Sequence, residues 1–491
     1  MAESLRSKTV FALSWSFLES IGLQSVRFVI GIVMARLLLP EQFGLIGMLL
    51  FFMGVAQVFY NSGFGAALVQ KQGVTPADVN SVFYFNIFAG AVAAGLLCLA
   101  APWIAAFYRQ PILTPLTRAL SLTIVFNSFG LIQNTLLTKE LNFKTLAKVN
   151  LCASLLSGAI GVAMAAAGFG VWSLALQQIS SSLLQTAFLW SLRIWRPERI
   201  FSLTSLREMF RFGSRLLTTG LLHQTFENIY PMVIGRLFSA ADLGYFTRAQ
   251  NFGEIPSQTL STVVGRVTFP VFSTIQDDPA RLKKGMKKAL TILVLINFPL
   301  MIGLAVVARP LVLVLITEKW AQSITYLQLL CVVGLLYPVH VINLNLLYAL
   351  GRSDIFLKLD VIKRVLMIAN IAVTWRWGIS ALIYGMIFQS VLSYYLNSYY
   401  TRRLIGYPAT EQLRDLFPFL LASAAMGAAV HAVGFLKFAN LYSMLAAQVA
   451  AGVVAYFALC RLFRLGAFME VFEEVKGEIV LRRARAANRS K

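Results

Sequence analysis

Long apolar runs separated by short polar stretches dominate this chain. Residues 89–106 contain no charged side chain, and residues 292–307 are almost entirely apolar. A helix needs roughly 20 mostly apolar residues to cross about 30 Å of hydrocarbon. The pattern therefore predicts an all-α integral membrane protein with about 14 transmembrane helices. The predicted spans are 9–37, 43–68, 79–107, 113–137, 145–168, 170–195, 209–238, 243–273, 286–316, 320–350, 356–375, 377–401, 413–434 and 439–463.

The first span is too long for the apolar core of a cleaved secretory signal, which is about 7–15 residues. Proline makes two later spans irregular, because it removes a backbone donor from a helix. The eighth span contains Pro256 and Pro270, and the ninth contains Pro299 and Pro310. The pattern defines the bounds of these two spans less sharply than those of the others.

The composition agrees with a membrane domain and gives its orientation. The chain is 58% hydrophobic and 13% charged, and its formal charge is +22. With the N-terminus inside, 32 of the 43 Lys and Arg residues fall in inner segments and 8 in outer ones. This bias fits the positive-inside rule and places both termini in the cytoplasm. The basic charge is spread over many short loops, which argues against a nucleic-acid partner. It favours contact of the basic tail, 466–491, with anionic lipid.

A sequence repeat relates the first predicted span to the seventh. Residues 34–44 end the first span and resemble 234–244, which end the seventh, with an Arg-Leu pair and a final Gly in register. The copies lie six helices apart, so the pattern predicts two parallel six-helix lobes followed by two further helices. The predicted domains are an N-lobe (1–195), a cytoplasmic linker (196–208), a C-lobe (209–403), spans 13 and 14 (404–465) and the basic tail (466–491).

Polar side chains inside the spans are the candidate functional residues, since a mid-membrane charge normally faces protein or water. They concentrate in spans one, four, seven and eight, and we expect them to line a hydrated cavity between two halves. The alternative is that pairs such as Glu19–Arg27 and His223–Glu227 only fasten helices together. The candidates are Glu19, Gln24, Arg27, Asn127, Gln133, Asn134, His223, Glu227, Arg248, Glu254 and Arg266.

Other chemistry is not indicated by the sequence. The four cysteines and three histidines are scattered, with no metal-ligand spacing, so we expect neither a metal site nor a cofactor. No Walker loop is present, and the connections are too short to hold an outer catalytic domain. We therefore expect a protein that is not an enzyme.

Several segments resemble bacterial polysaccharide flippases. They include the opening at 6–15, the stretch Ala35–Gly44 and the following Asn61–Gln70, together with 243–249 and 269–273. The pattern is most similar to the Wzx-type branch of colanic-acid, succinoglycan and xanthan exporters. That branch belongs to the multidrug/oligosaccharidyl-lipid/polysaccharide exporter superfamily.

The resemblance implies a V-shaped, two-lobed transporter of the bacterial inner membrane. Its implied substrate is an undecaprenyl-diphosphate-linked oligosaccharide repeat unit, and polymerase or export machinery is an implied partner. By this analogy Arg27, Arg248 and Arg266 would contact diphosphate or acidic sugar. Glu19, His223, Glu227 and Glu254 would serve as ion-pair partners or as H⁺ or Na⁺ coupling sites. A multidrug or cation antiporter and a peptidoglycan-precursor flippase remain open as alternatives.

Overall fold

A computed structural model of the chain describes residues 22–61, 63–470 and 472–473, and within them it leaves out the side chains of residues 211, 212, 215, 263 and 266. This described part is almost entirely helical and contains no strand. Glu19 lies outside it, as do residues 471 and 474–491 of the predicted tail. The chain divides into two compact units, Met1–Thr247 and Arg248–Lys491, here called the first and second units.

Seventeen α-helices are used here as landmarks in the described part. They are α1 (22–37), α2 (Pro40–Asn61), α3 (Phe64–Gln70), α4 (Pro76–Tyr108), α5 (Leu113–Lys139), α6 (Phe143–Ala166), α7 (Val171–Ser191), α8 (Leu203–Glu227), α9 (Ile229–Leu237), α10 (Ala240–Thr274), α11 (Pro279–Val306), α12 (Ala308–Ile316), α13 (Gln322–Ala349), α14 (Ser353–Thr374), α15 (Ile379–Ile405), α16 (Ala409–Val433) and α17 (Leu441–Leu462).

The all-α membrane class is confirmed. Among the described helices, nine are long and apolar enough to cross a membrane: α2, α4, α5, α6, α11, α13, α15, α16 and α17. Helix α7 carries several Gln and Ser residues and α14 several charged ones, which lowers their hydropathy. Every predicted span overlaps one helix or a pair of consecutive helices. The count of about 14 crossings is compatible with this arrangement and stays a prediction.

The outer surfaces of the helices are apolar, as a lipid environment requires. On α4, Leu96, Leu99 and Trp103 lie on one face, and Trp103 is 75% exposed. In the first unit α4 packs on α5, and α6 packs on α7. In the second unit α11 packs on α13 and α16, and α16 packs on α17, around one large apolar core. Protein interior and lipid therefore face opposite sides of these helices.

Three predicted spans are each broken into two helices. Helix α8 ends at Glu227, four residues before Pro231, and α11 ends at Val306, four residues before Pro310. A proline ring clashes with the carbonyl four residues earlier and supplies no N–H, which explains both breaks. The third break, between α2 and α3, includes Gly63 in the left-handed region (φ 71°). By contrast, α10 runs through Pro256 and Pro270 without interruption.

The two repeat copies share the same local structure 200 positions apart. One helix ends at 37 and the next begins at Pro40, while in the other copy α9 ends at Leu237 and α10 begins at Ala240. The residue before each new helix donates its backbone N–H to a side chain three residues later. Leu39 N bonds Gln42 Oε1 (3.1 Å), and Ser239 N bonds Asp242 Oδ2 (3.3 Å). Both copies thus begin their second helix with an equivalent N-terminal cap.

The two copies also contact each other reciprocally within the first unit. A Cβ at Gly44 would overlap the carbonyl oxygen of Ala240, and a Cβ at Gly244 would overlap that of Pro40. Pro40 and Ala240 are equivalent positions of the repeat, as are the two glycines. Each copy therefore supplies a glycine to one side of the contact and a carbonyl to the other. Only residues without a side chain allow helices to approach so closely.

Candidate functional site

A cavity of about 730 Å³ in the first unit is the candidate site. Its walls come from the end of α2, from α3, and from one face each of α5 and α7. The volume is in the range of roughly 300–1,000 Å³ that small-ligand sites occupy. The lining residues are Gln57, Tyr60, Asn61, Gly65, Ala66, Val69, Gln70, Asn127, Gly130, Leu131, Asn134, Thr135, Thr138, Gln185, Thr186 and Leu189.

Helix α5 supplies a polar stripe to this cavity. Asn127, Asn134 and Thr138 recur at intervals of seven and four residues, so they lie on one face of the helix. The opposite wall is formed by α3, which can turn toward α5 because Gly63 adopts its left-handed conformation. Gly65 brings the two helices close, since a Cβ there would stand 3.0 Å from the Thr135 hydroxyl. The break after α2 therefore shapes the cavity.

Some of the lining polar groups are already engaged, and others are open to a ligand. The Asn127 side chain lies beside the Tyr60 hydroxyl, and Thr186 Oγ1 donates to the Phe126 carbonyl (2.8 Å). The amides of Gln57, Asn61 and Gln70 make no hydrogen bond to any described residue and are exposed.

No lining residue carries a charge. Each side-chain amide offers two donors and an acceptor, and each hydroxyl can do both. Sugar hydroxyls likewise both donate and accept, so this set suits an uncharged polyol. It offers nothing that would compensate an isolated cation or anion, whose burial requires a charged partner. The cavity is therefore chemically fitted to carbohydrate.

Charged residues fix α3 at one end of the cavity. Lys139 Nζ donates to the backbone carbonyls of Leu68 (2.8 Å) and Lys71 (2.6 Å), at the C-terminal end of α3. Lys71 Nζ in turn bonds Glu208 (2.9 Å) and Asp78 (3.1 Å), and these carboxylates raise the pKa of Lys71. A cation at a helix C-terminus is favourable, because the last carbonyls are unsatisfied. This arrangement holds the wall formed by α3 in place.

A second, apolar cavity of about 530 Å³ lies in the same unit between α2, α4 and α8. Its walls include Phe51, Phe59, Phe88 and Phe210, and Ser214 and Thr218 are its two hydroxyl residues. The surface suits hydrocarbon rather than a polar ligand. The first unit thus contains a polar and an apolar cavity.

Four amide candidates from the sequence are distributed over this unit. Asn127 and Asn134 line the polar cavity. Gln133 is buried outside that lining: its nitrogen donates to the Phe129 carbonyl (2.9 Å) and its oxygen accepts from Trp190 Nε1 (3.3 Å) in the amide orientation that satisfies both. Gln24 is half-buried on α1, away from the cavity lining.

The charged candidates of the first unit do not line the cavity either. Arg27 is exposed on α1 and makes no ion pair with a described residue, and its proposed partner Glu19 lies outside the described residues. His223 and Glu227 do approach each other, with Nε2 and Oε1 3.7 Å apart on α8, and both are exposed. The one-turn spacing of the two residues predicted this pairing, and its transport role stays a prediction.

The remaining charged candidates are on α10. In the second unit, the guanidinium of Arg248 lies 5.4 Å from the ring centroid of the fully buried Trp320, which is a cation–π distance. Glu254 accepts hydrogen bonds from Gln250 (2.7 Å) and Gln258 (3.0 Å), one turn before and after it. The backbone of Arg266 is on the same helix, and its side chain lies outside the described part.

A buried polar network in the second unit was missed by the sequence argument, which treated the histidines as scattered. His340 contacts Ser390 Oγ (3.0 Å) and the Asn397 amide (3.3 Å). One helical turn on, Thr401 Oγ1 donates to Asn343 Oδ1 (2.6 Å), and Asn343 Nδ2 donates to Gln412 Oε1 (3.4 Å). These bonds join α13, α15 and α16, as interhelical hydrogen bonds do in membrane proteins.

The cavity residues missed from sequence have a recognisable but weak signal. Gln57 and Asn61 lie four residues apart near the end of an otherwise apolar helix, and Gln185 and Thr186 lie together on α7. Such spacing places polar groups on one helix face. The sequence did not say which faces of α2, α5 and α7 meet, so the set could not be assembled.

A family model described as polysaccharide biosynthesis protein matches residues 33–325, which is more than half of the chain. The chain belongs to this family. The match includes the repeat copies and the whole polar cavity. It confirms the resemblance to polysaccharide flippases stated from the sequence.

Three relatives extend the match. The chain is 29% identical to the lipopolysaccharide biosynthesis protein WzxC of Escherichia coli K12 over 86% of this chain and 88% of that protein. It is 28% identical to the teichuronic acid biosynthesis protein TuaB of Bacillus subtilis 168, over 87% and 88%. It is 31% identical to the succinoglycan biosynthesis transport protein ExoT of Rhizobium meliloti 1021, over 69% of each.

Solved structures identify the fold. The lipid II flippase MurJ in an inward closed conformation matches with a TM-score of 0.75 at 14% identity, covering 91% of this chain and 98% of that one. An outward-facing multidrug MATE transporter of the MOP superfamily matches with a TM-score of 0.56 at 17% identity, covering 80% and 95%. The chain therefore has the fold of this transporter superfamily, and it is a multi-pass membrane protein.

Proposed function

We propose that this protein is a flippase that moves undecaprenyl-diphosphate-linked polysaccharide repeat units across the plasma membrane. The family membership and the relatives named for polysaccharide biosynthesis or transport support the substrate class. The fold shared with a lipid II flippase supports the reaction, which is translocation of a lipid-linked saccharide. On this proposal the chain breaks no covalent bond and is not an enzyme.

The observation that carries the proposal is the polar, uncharged cavity of the first unit. Amides and hydroxyls from α2, α3, α5 and α7 replace the water around sugar hydroxyls, so a glycan can leave water without losing all its hydrogen bonds. The neighbouring apolar cavity fits a hydrocarbon chain. A drug or cation antiporter would need acidic groups in its pocket, and neither cavity lining contains an acidic residue.

The diphosphate requires cations, which the polar cavity does not supply. Arg27, Arg248 and Arg266 are proposed for this role, because a guanidinium forms bidentate charge-assisted bonds with phosphate. Polymerase or export machinery that receives the saccharide is the proposed protein partner.

The proposed location is the bacterial inner membrane, with both termini in the cytoplasm. In that orientation the end of α3 next to Lys71 and Lys139 faces the cytoplasm, where lipid-linked units are assembled on this proposal. A C-terminal fusion tests it: green fluorescent protein should fluoresce and alkaline phosphatase should be inactive. The opposite pattern would overturn the orientation.

A genetic experiment tests the function. Deletion of the gene should stop polymer export and cause undecaprenyl-diphosphate-linked repeat units to accumulate, protected inside the cytoplasmic leaflet. Expression of the intact chain should restore export. Accumulation of free polymer, or unchanged export with altered drug resistance, would contradict the proposal.

A further inference from the structure

A basic pocket in the second unit is separate from both cavities described above. It has a volume of about 590 Å³ and lies between the first turns of α11, the second and third turns of α16 and the segment that follows α17. The lining residues are Lys284, Lys287, Lys288, Thr291, Arg414, Asp415, Pro418, Phe419, Phe463, Arg464, Leu465, Gly466, Ala467 and Glu470.

The charges of this pocket are only partly compensated. Lys287 pairs with Asp415 (2.6 Å) and Lys288 with Glu470 (2.8 Å). Lys284, Arg414 and Arg464 make no ion pair with any described residue. These three cations surround one concavity and together form a site for a small anion.

The walls also contain acceptors and apolar surface. The two carboxylates hold their lysines and keep oxygen atoms in the lining that can accept hydrogen bonds from hydroxyl groups. Beside the pocket, α16 and the end of α17 expose large apolar side chains, including Phe417, Leu421 and Leu462. Cations, carboxylate acceptors and an exposed apolar surface thus adjoin one another at the ends of membrane-spanning helices.

We propose that this pocket binds the headgroup of an anionic glycerophospholipid, with the phosphodiester among Lys284, Arg414 and Arg464. Headgroup hydroxyls donate to Asp415 and Glu470, and the acyl chains lie along α16 and α17. Basic pockets between helices at the membrane surface are a recurrent way to hold acidic lipid headgroups. The site is distinct from the proposed glycan cavity, and neither proposal depends on the other.

A lipid titration followed by native mass spectrometry tests this. The purified full chain in neutral detergent is titrated with phosphatidylglycerol, and separately with phosphatidylcholine. We expect one phosphatidylglycerol to be held in preference to phosphatidylcholine. The variant Lys284→Gln/Arg414→Gln/Arg464→Gln should bind it about tenfold or more weakly, since each surface cation contributes several-fold to such binding.

The matched control removes the same charge elsewhere. Lys148→Gln/Arg196→Gln/Arg199→Gln changes three exposed cations of the first unit and should keep the affinity of the intact chain. If the pocket variant is less stable than the control in a thermal unfolding assay, the single change Arg414→Gln is measured instead and should show a several-fold loss. Equal phosphatidylglycerol binding by the pocket variant and the intact chain would overturn the proposal.

A competition experiment distinguishes a phospholipid from a diphosphate as the ligand of this pocket. Inorganic pyrophosphate and undecaprenyl diphosphate are each added to the phosphatidylglycerol complex at equal concentration. We expect the phospholipid to remain bound. Displacement by either competitor would show a diphosphate site rather than a phospholipid site and would also overturn the proposal.

Discussion

At the residue scale, two neighbouring amides on α5 allow a role in substrate recognition to be distinguished from a role in stability. Asn134 lies in the lining of the polar cavity, whereas Gln133 is buried and bonded to the Phe129 carbonyl and the Trp190 ring N–H. They share a helix and a functional group and differ mainly in the direction they face. Substitution of each by the same apolar residue therefore isolates the role of the cavity.

We expect Asn134→Leu to reduce export per folded molecule several-fold while leaving thermal stability nearly unchanged, because it removes a proposed contact with substrate. Gln133→Leu should lower stability by about 1 kcal/mol, because it removes the hydrogen bonds of a buried amide, while Trp190 Nε1 keeps its bond to the Phe129 carbonyl (3.1 Å). Its export per folded molecule should be retained. Polymer in the medium, normalised to folded membrane protein, measures both. If Asn134→Leu lowered only stability and Gln133→Leu lowered only export, the cavity would have no role in substrate recognition.

Glu254 is proposed as a coupling group for H⁺ or Na⁺. Two glutamine amides donate to its carboxylate and hold it on a half-buried part of α10. Glu254→Gln keeps the shape and removes the charge. We expect transport in vesicles to lose most of its dependence on an imposed pH or Na⁺ gradient. The exposed Glu198→Gln, between α7 and α8, is the matched control and should keep the gradient response. An unchanged gradient response in Glu254→Gln would contradict the role of Glu254.

At the element scale, close approach of the two repeat copies depends on glycine. Gly44 and Gly244 each meet a backbone carbonyl of the opposite copy, so a methyl group at either position must push α2 and α10 apart. The same contact is formed twice by equivalent positions. Its two halves should therefore respond to substitution in the same way.

Gly44→Ala and Gly244→Ala should each lower stability by about 1–3 kcal/mol, the usual effect of overpacking. The double variant should lose less than the sum, because the first methyl already separates the helices. Gly95→Ala is the matched control: its Cβ meets nothing within 4 Å. It should raise stability by roughly 0.5–1 kcal/mol, since alanine favours a helix over glycine. Thermal unfolding in mild detergent measures all four, and additive losses would contradict the reciprocal contact.

Helix positions were largely predictable from the sequence, because lipid imposes a simple rule on length and hydropathy. The sequence did not predict the breaks before Pro231 and Pro310 or the unbroken course of α10 through Pro256. The effect of a proline on a helix depends on the neighbouring helices. The repeat at 34–44 and 234–244 was recognisable in the amino-acid sequence, and the two copies have matching local structure.

The candidate site was predicted only in part. The sequence argument searched for charged groups, whose presence in a membrane is costly and conspicuous. The polar cavity contains none, and its amides come from four helices whose facing sides are set by packing. Asn127 and Asn134 were identified from the sequence because both lie on α5. Gln57, Asn61 and Gln70 could be assigned to the cavity only from the fold.

At the scale of the whole molecule, one membrane unit contains both a polar cavity suited to glycan and an apolar cavity suited to hydrocarbon. A lipid-linked saccharide contains both kinds of surface in a single molecule. A small drug or cation does not need both. We therefore propose translocation of such a lipid as the function that uses both cavities.

Reconstitution into lipid vesicles measures this translocation. Vesicles containing the purified chain receive a labelled undecaprenyl-diphosphate-linked repeat unit in their outer leaflet, and a membrane-impermeant glycosidase reports how much saccharide stays outside. We expect the intact chain to render part of the saccharide inaccessible. The double variant Asn127→Leu/Asn134→Leu should slow this toward the rate of protein-free vesicles. Protection at the protein-free rate with the intact chain, together with uptake of a small cationic drug, would contradict translocation of the lipid-linked saccharide.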